Sequence, residues 1–222
     1  MKRRSIQCLL LFFALLTVAT AVYAGGWAIV TLKDLPDYAV AGKPLTLRFA
    51  VRQHGVTLLS GLQPAVRATA VGGRNAKAAV TPAGATGEYT AALTLPDPGD
   101  WTITIDSGFN GNAVTLPLLK VIASESPVPA PFSPITKGLR LFAAKGCVGC
   151  HRHAEVNPER TTDARFDLTT RRFPQDYLAK FLADPSIKPA EMPNLNLRPE
   201  EIEALAAFIT KVTKKEALRR DQ

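Results

Sequence analysis

Residues 124–134 read Ser-Glu-Ser-Pro-Val-Pro-Ala-Pro-Phe-Ser-Pro, with prolines at Pro127, Pro129, Pro131 and Pro134. Each proline fixes φ near its ring value and removes an amide donor. The stretch therefore cannot enter a sheet or a helix interior, and it runs extended as a semi-rigid spacer. It divides the chain into flanks of roughly 90 to 100 residues, each long enough to hold a core of its own. The reading is two domains, 25–123 and 135–222, joined by a linker at 124–134.

The first flank has the pattern of β structure. Runs at 27–32, 45–51, 64–71, 88–95, 101–105 and 113–122 are rich in β-branched and aromatic residues and are separated by Gly, Pro and Asp turns such as that at 96–100. Six or seven short strands with this spacing predict an all-β antiparallel sandwich. No cysteine lies in the segment, so its core must rest on packed aliphatics with Trp101 and Tyr89. His54 is its one imidazole. A tight copper or zinc site needs two or three protein ligands, so His54 reads as a loop-end residue with a metal role as the alternative.

The second flank is helical. Leu139, Phe142 and Ala143 fall at i, i+3, i+4 on a first helix ended by Gly146. Residues 174–183 form a second helix stopped by Asp184-Pro185. The last helix opens with Pro199 at N1 and Glu200 and Glu201 in its first turn, and carries a buried stripe of Ile202, Leu205, Ala206 and Ile209.

Between the first two helices stands Cys147-Val148-Gly149-Cys150-His151. A C-x-x-C-H run is the attachment site of c-type haem, with Cys147 and Cys150 as thioethers and His151 as proximal iron ligand. Zinc and a redox dithiol are the alternatives. Zinc is poorly supplied, because beyond this pair the chain has only Cys8, inside the N-terminal apolar run, and the histidines His54, His151 and His153. A dithiol is expected after a strand in a βαβ unit, which this run is not.

Haem of this kind is attached outside the cytoplasm, and the N-terminus agrees. Lys2-Arg3-Arg4, an apolar run at 9–19 and Val22-Tyr23-Ala24 read as a cleavable signal peptide over 1–24, which places the protein in the periplasm. The alternative is an uncleaved anchor, since the run from Cys8 to Ala24 reaches the lower limit of about 17 residues for a spanning helix. Loss of Lys2, Arg3 and Arg4 takes the formal charge from +8 to +5, spread over both flanks. That weak basicity, without aromatics interleaved in a basic cluster, argues against nucleic acid as partner.

Two resemblances attach to these residues. Gly138, Leu141 and Phe142, followed by Gly146 and the run from Cys147 to His151, resemble the class I mono-haem cytochromes c. The resemblance implies an all-α fold in which the first and last helices pack beside one covalent haem c. It also implies distal ligation by a loop methionine, and Met192, in Glu191-Met192-Pro193, occupies the matching segment. His153 is the lesser candidate for that sixth position. Many members carry a proline whose carbonyl accepts the proximal imidazole N–H. This chain has Arg165-Phe166-Asp167-Leu168-Thr169 there, without the proline, so the resemblance leaves the acceptor unassigned. The β flank, through Gly87-Glu88-Tyr89, Leu93-Thr94-Leu95-Pro96 and Gly99-Asp100-Trp101, resembles the immunoglobulin-like sandwiches of YtkA-like and FixH-like periplasmic domains.

The expected function is single-electron transfer, because iron held by His and Met has no open site for oxygen or peroxide. Redox proteins, including a membrane oxidase or reductase, are the expected partners. No catalytic triad, phosphate loop or paired-carboxylate motif marks a small-molecule substrate. Arg152, Lys188 and Lys145 are candidates for a basic ring around a haem edge. The alternatives are an accessory or assembly subunit whose β domain docks a respiratory complex or handles copper, and a haem enzyme or gas sensor with displaceable Met192.

Overall fold

The structure is a computed structural model describing residues 25–187 and 192–211. The segment read as a signal peptide and Lys188 lie outside the described residues. Eleven strands precede three α-helices: β1 (Ala28–Leu32), β2 (Tyr38–Val40), β3 (Pro44–Gln53), β4 (Thr57–Leu58), β5 (Ala65–Ala70), β6 (Asn75–Ala78), β7 (Val80–Pro82), β8 (Glu88–Thr94), β9 (Gly99–Asp106), β10 (Ala113–Thr115), β11 (Leu119–Ile122), then α1 (Pro134–Ala144), α2 (Gln175–Ala183) and α3 (Pro199–Thr210). One sheet has the order β1-β3-β8-β7 with β4 on β3, and the other β2-β11-β9-β5-β6 with β10 on β9. All pairs are antiparallel except β2 with β11.

The six sequence runs each become strands, with one division. The run at 113–122 breaks into β10 and β11 because Pro117 lies between them and cannot donate to a ladder. β2, β4, β6 and β7 are additional, two to four residues long, and too short to show a period. The sandwich core is aliphatic around Phe49, Trp101 and Tyr89, as expected. Its two polar aromatics are satisfied internally: Trp101 Nε1 donates to the Asp97 carbonyl at 3.0 Å and Tyr89 Oη to the Leu59 carbonyl at 2.9 Å.

Pro134 is the first residue of α1, where its missing N–H costs nothing, and Ser133 Oγ caps the helix by accepting from Thr136 N. α1 packs along α3. Their closest approach is at Gly138, where a Cβ would lie 2.0 Å from the Ala204 carbonyl oxygen and 2.6 Å from Phe208 Cβ. Only a glycine permits that approach. Leu141 and Phe142 of α1 then join Ala204, Leu205, Phe208 and Ile209 of α3 and Leu178 and Leu182 of α2 in one apolar cluster.

The proline-rich stretch does not hold the two halves apart. Every residue from Arg140 to Gly146 is buried, on all sides of the helix end, because α3 covers one face and the β sandwich covers the other. Ala144 belongs to the sandwich's own core cluster. Arg140 donates to the carbonyls of Leu118 at 2.7 Å and Pro36 at 3.2 Å, and lies over the Phe132 ring. Lys145 Nζ donates to the Lys33 carbonyl at 2.6 Å and pairs with Glu201 at 2.8 Å, both side chains almost wholly enclosed. Removing one partner of such a pair strands the other charge, at roughly 3–5 kcal/mol. Arg198 completes the seam by bridging Glu201 and Asp34, each at 2.9 Å.

Gly138→Ala is expected to lower stability by about 3 kcal/mol through overpacking of the α1–α3 crossing. Denaturant unfolding followed by helical circular dichroism checks this, and an unchanged midpoint contradicts the packing described.

Candidate haem site

α1 ends with Gly146 in the left-handed region, at φ 80°, a conformation that glycine adopts without strain. The chain then tightens into a 3-10 turn, Cys147–Gly149. Cys150 N and His151 N both donate to the Cys147 carbonyl, at 3.1 and 2.8 Å. One helical turn thus carries both thiols and the imidazole. Two side chains sequence reasoning did not single out hold it in place. Asn157 Nδ2 donates to the His151 carbonyl at 2.9 Å while its Oδ1 accepts from His153 N at 2.7 Å, and Arg160 donates to the Gly149 carbonyl at 2.6 Å.

The unassigned acceptor is the Phe166 carbonyl, 3.2 Å from His151 Nδ1. A carbonyl only accepts, so Nδ1 carries the proton and the Nε2 lone pair remains for a metal. Phe166 stands directly before Asp167-Leu168, and its backbone oxygen serves without any need for proline. The same oxygen accepts from Arg152 N at 3.1 Å, and Leu168 N donates back to the Arg152 carbonyl at 2.9 Å, a short parallel bridge between the two loops. Asp167 closes it, taking Arg152 Nη1 at 2.7 Å and Thr169 N at 2.9 Å. Partial burial works against the Asp167 charge, but the hydrogen bonds from Thr169 and Arg152 outweigh it and hold the carboxyl below its ordinary range.

Burial also pushes the His151 pKa down. The Phe166 bond opposes this, and Arg160 and Arg171 reinforce it. A neutral imidazole is the form that binds metal. Burial pushes the Cys147 thiol up to about 12. That is the reverse of a redox dithiol, whose attacking cysteine needs a depressed pKa. Neither cysteine is in a disulfide. Among the described residues no group of three or more His, Cys, Asp and Glu side chains gathers as a metal site. A site with two cysteines outside any disulfide and one oriented imidazole in a single turn fits covalent haem better than either alternative.

Met192 packs at the rim of the apolar cluster that Cys147, Phe173 and Leu197 also border. His153 is elsewhere engaged. Its ring lies 4.4 Å from Phe208 and 5.9 Å from Phe142, and Nδ1 accepts from Glu155 N at 3.3 Å, which leaves the proton on Nε2 and no lone pair for iron. His54 sits in the turn after β3 at φ 50°, its N–H on the Trp27 carbonyl and its ring edge-on to the Trp27 indole, the loop-end role expected. The basic ring proposed from sequence does not form as drawn: Lys145 is buried on Glu201 and Arg152 is paired with Asp167.

Residues 135–213 match the family model described as Cytochrome c. No curated protein sequence matches the chain. Solved structures similar to it include the Lin-41 filamin domain, at 13% identity over 44% of this chain and 98% of that one, with a TM-score of 0.36. Domains 4 and 5 of the S-layer protein SbsC match at 20% identity over 42% of this chain and 51% of that one, with a TM-score of 0.30.

Asp167→Ala is expected to cost about 1–2 kcal/mol in stability from the lost charged hydrogen bonds. It is also expected to raise the reduction potential of the haem-loaded protein, since a looser Phe166 carbonyl makes the imidazole a poorer donor to ferric iron. Potentiometry decides it, and a potential equal to the wild type's contradicts the clamp.

Proposed function

Because residues 135–213 are a cytochrome c domain, which carries covalent haem c, we propose that this protein is a periplasmic one-electron carrier with His151 and Met192 as axial ligands. Cys147 and Cys150 would hold the haem as thioethers. Bound there, haem supplies a single iron that gains or loses one electron, and Met/His ligation raises its potential.

The observation that carries the reading is the His151–Phe166 bond, which fixes the tautomer and leaves the Nε2 lone pair for a metal in the same turn as Cys147 and Cys150. The chain's own residues do the rest. Asn157, Arg160 and the Arg152–Asp167 bridge keep that turn from rearranging as charge comes and goes. Met192 supplies a soft thioether from a proline-bounded loop at the rim of the same apolar cluster. With His151 and Met192 both as its ligands, a bound haem would offer oxygen and peroxide no open site.

Redox proteins are the partners of such a domain, and a membrane oxidase or reductase is the partner class proposed here. The periplasmic assignment is supported by the signal-type segment at 1–24 and by the chemistry of covalent haem attachment.

Optical spectra in both oxidation states test the ligand set. The ferric protein is expected to show the far-red Met-to-iron band, and the ferrous protein to ignore carbon monoxide. Met192→Ala is expected to lose the band and to bind carbon monoxide. Ready carbon monoxide binding by the wild type contradicts the reading and favours a gas-binding or catalytic haem.

A further inference from the structure

The edge strand β1 is buried on both faces. Val30 and Leu32, at 3% and 0% exposure, sit in the sandwich core, so by strand alternation Ile29 and Thr31 point away from it. Yet Ile29 is 9% and Thr31 6% exposed. What covers Ile29 is the cysteine turn. A Cβ on Gly149 would lie 2.7 Å from Ile29 Cδ1 and Cγ1, and one on Gly146 would lie 2.2 Å from Ile29 Cγ2 and 2.8 Å from the Val30 carbonyl oxygen. Gly146 also meets a left-handed φ, but at Gly149 the close approach is the constraint. Ile29 therefore rests directly on the backbone between the two cysteines. Val148, inside the motif, packs against both the sandwich core and the helical core.

Polar contacts lock this seat. Arg140 and Lys145 of the helical half reach three carbonyls of the β half, at Leu118, Pro36 and Lys33, and Arg198 reaches Asp34. All of these contacts run between the two halves, and together they set the orientation of β1 on the turn.

We propose that the β domain is a fixed cover on the back of the cysteine turn, the face away from Cys147, Cys150 and His151, and that it blocks redox partners from approaching the haem over that turn. The proposal rests on haem attachment at Cys147 and Cys150. A cleft of about 330 Å³ lined by Trp27, Ile29, Val148 and Gly149 opens in the seam, so the cover keeps out protein partners and not water. Electron exchange is then left to the His151 side, where Phe166 is 37% exposed and its ring lies 6.0 Å from the imidazole.

The test places a specific protease site within residues 126–130 of the full-length, haem-loaded protein. The cut wild type is expected to elute as one species in size exclusion. Ile29→Asp and Arg140→Ala are each expected to let the fragments part after cutting and to raise several-fold the rate at which the uncut protein exchanges electrons with a small redox protein. The first leaves the haem domain's sequence intact and the second leaves the β domain's intact, so misfolding of one domain does not reproduce both results. Wild-type fragments that separate with haem in place overturn the cover alone. Variants whose fragments part while the rate of electron exchange stays at the wild-type value also overturn it. Absence of covalent haem by mass defeats the haem reading itself and, with it, the cover's redox role.

Discussion

The crossing of α1 and α3 at Gly138 is the contact on which the rest depends. With no Cβ at Gly138, the two backbones meet at the Ala204 carbonyl, and Leu141 and Phe142 come down on α3 one turn later. The end of α1 is thereby fixed in direction, and the cysteine turn begins two residues beyond its C-cap. The Lys145–Glu201 pair binds the same two helices at the other end of α1. A haem motif on a loop is only as rigid as the helix that delivers it, and here that helix is held at both ends.

The same helix end also joins the two halves of the protein. Polar side chains at Arg140 and Lys145 would suit a water-facing stripe, but here they satisfy carbonyls that the β half would otherwise turn to solvent. The proline-rich stretch then acts less as a spacer than as a return path that starts α1 at Pro134 with its cap in place.

Most of the architecture was legible in the sequence because it rests on local pattern. The long strands alternate, the helices carry apolar stripes between Pro or Gly signals, and five residues name a haem site by spacing alone. What stayed hidden depends on contacts between distant segments. The sequence pattern of β1 does not show that Ile29 is buried, since its cover lies over a hundred residues away. Lys145 reads as an exposed lysine until Glu201 and the Lys33 carbonyl are brought to it. The acceptor for His151 was unassigned because a backbone oxygen has no side-chain signature: any residue before Asp167 offers one, and Phe166 does so through loop pairing. Asn157 and Arg160 were missed for the same reason, because what they hold is backbone.

Covalent attachment of haem at this turn is measured directly by intact-mass spectrometry of the full chain, matured in a host that exports and loads c-type cytochromes. The predicted result is a polypeptide heavier by one haem, with the added mass gone when Cys147 and Cys150 are both changed to serine. A wild-type mass equal to the bare polypeptide, or to the polypeptide with a zinc ion, in a host that loads a control cytochrome would contradict it.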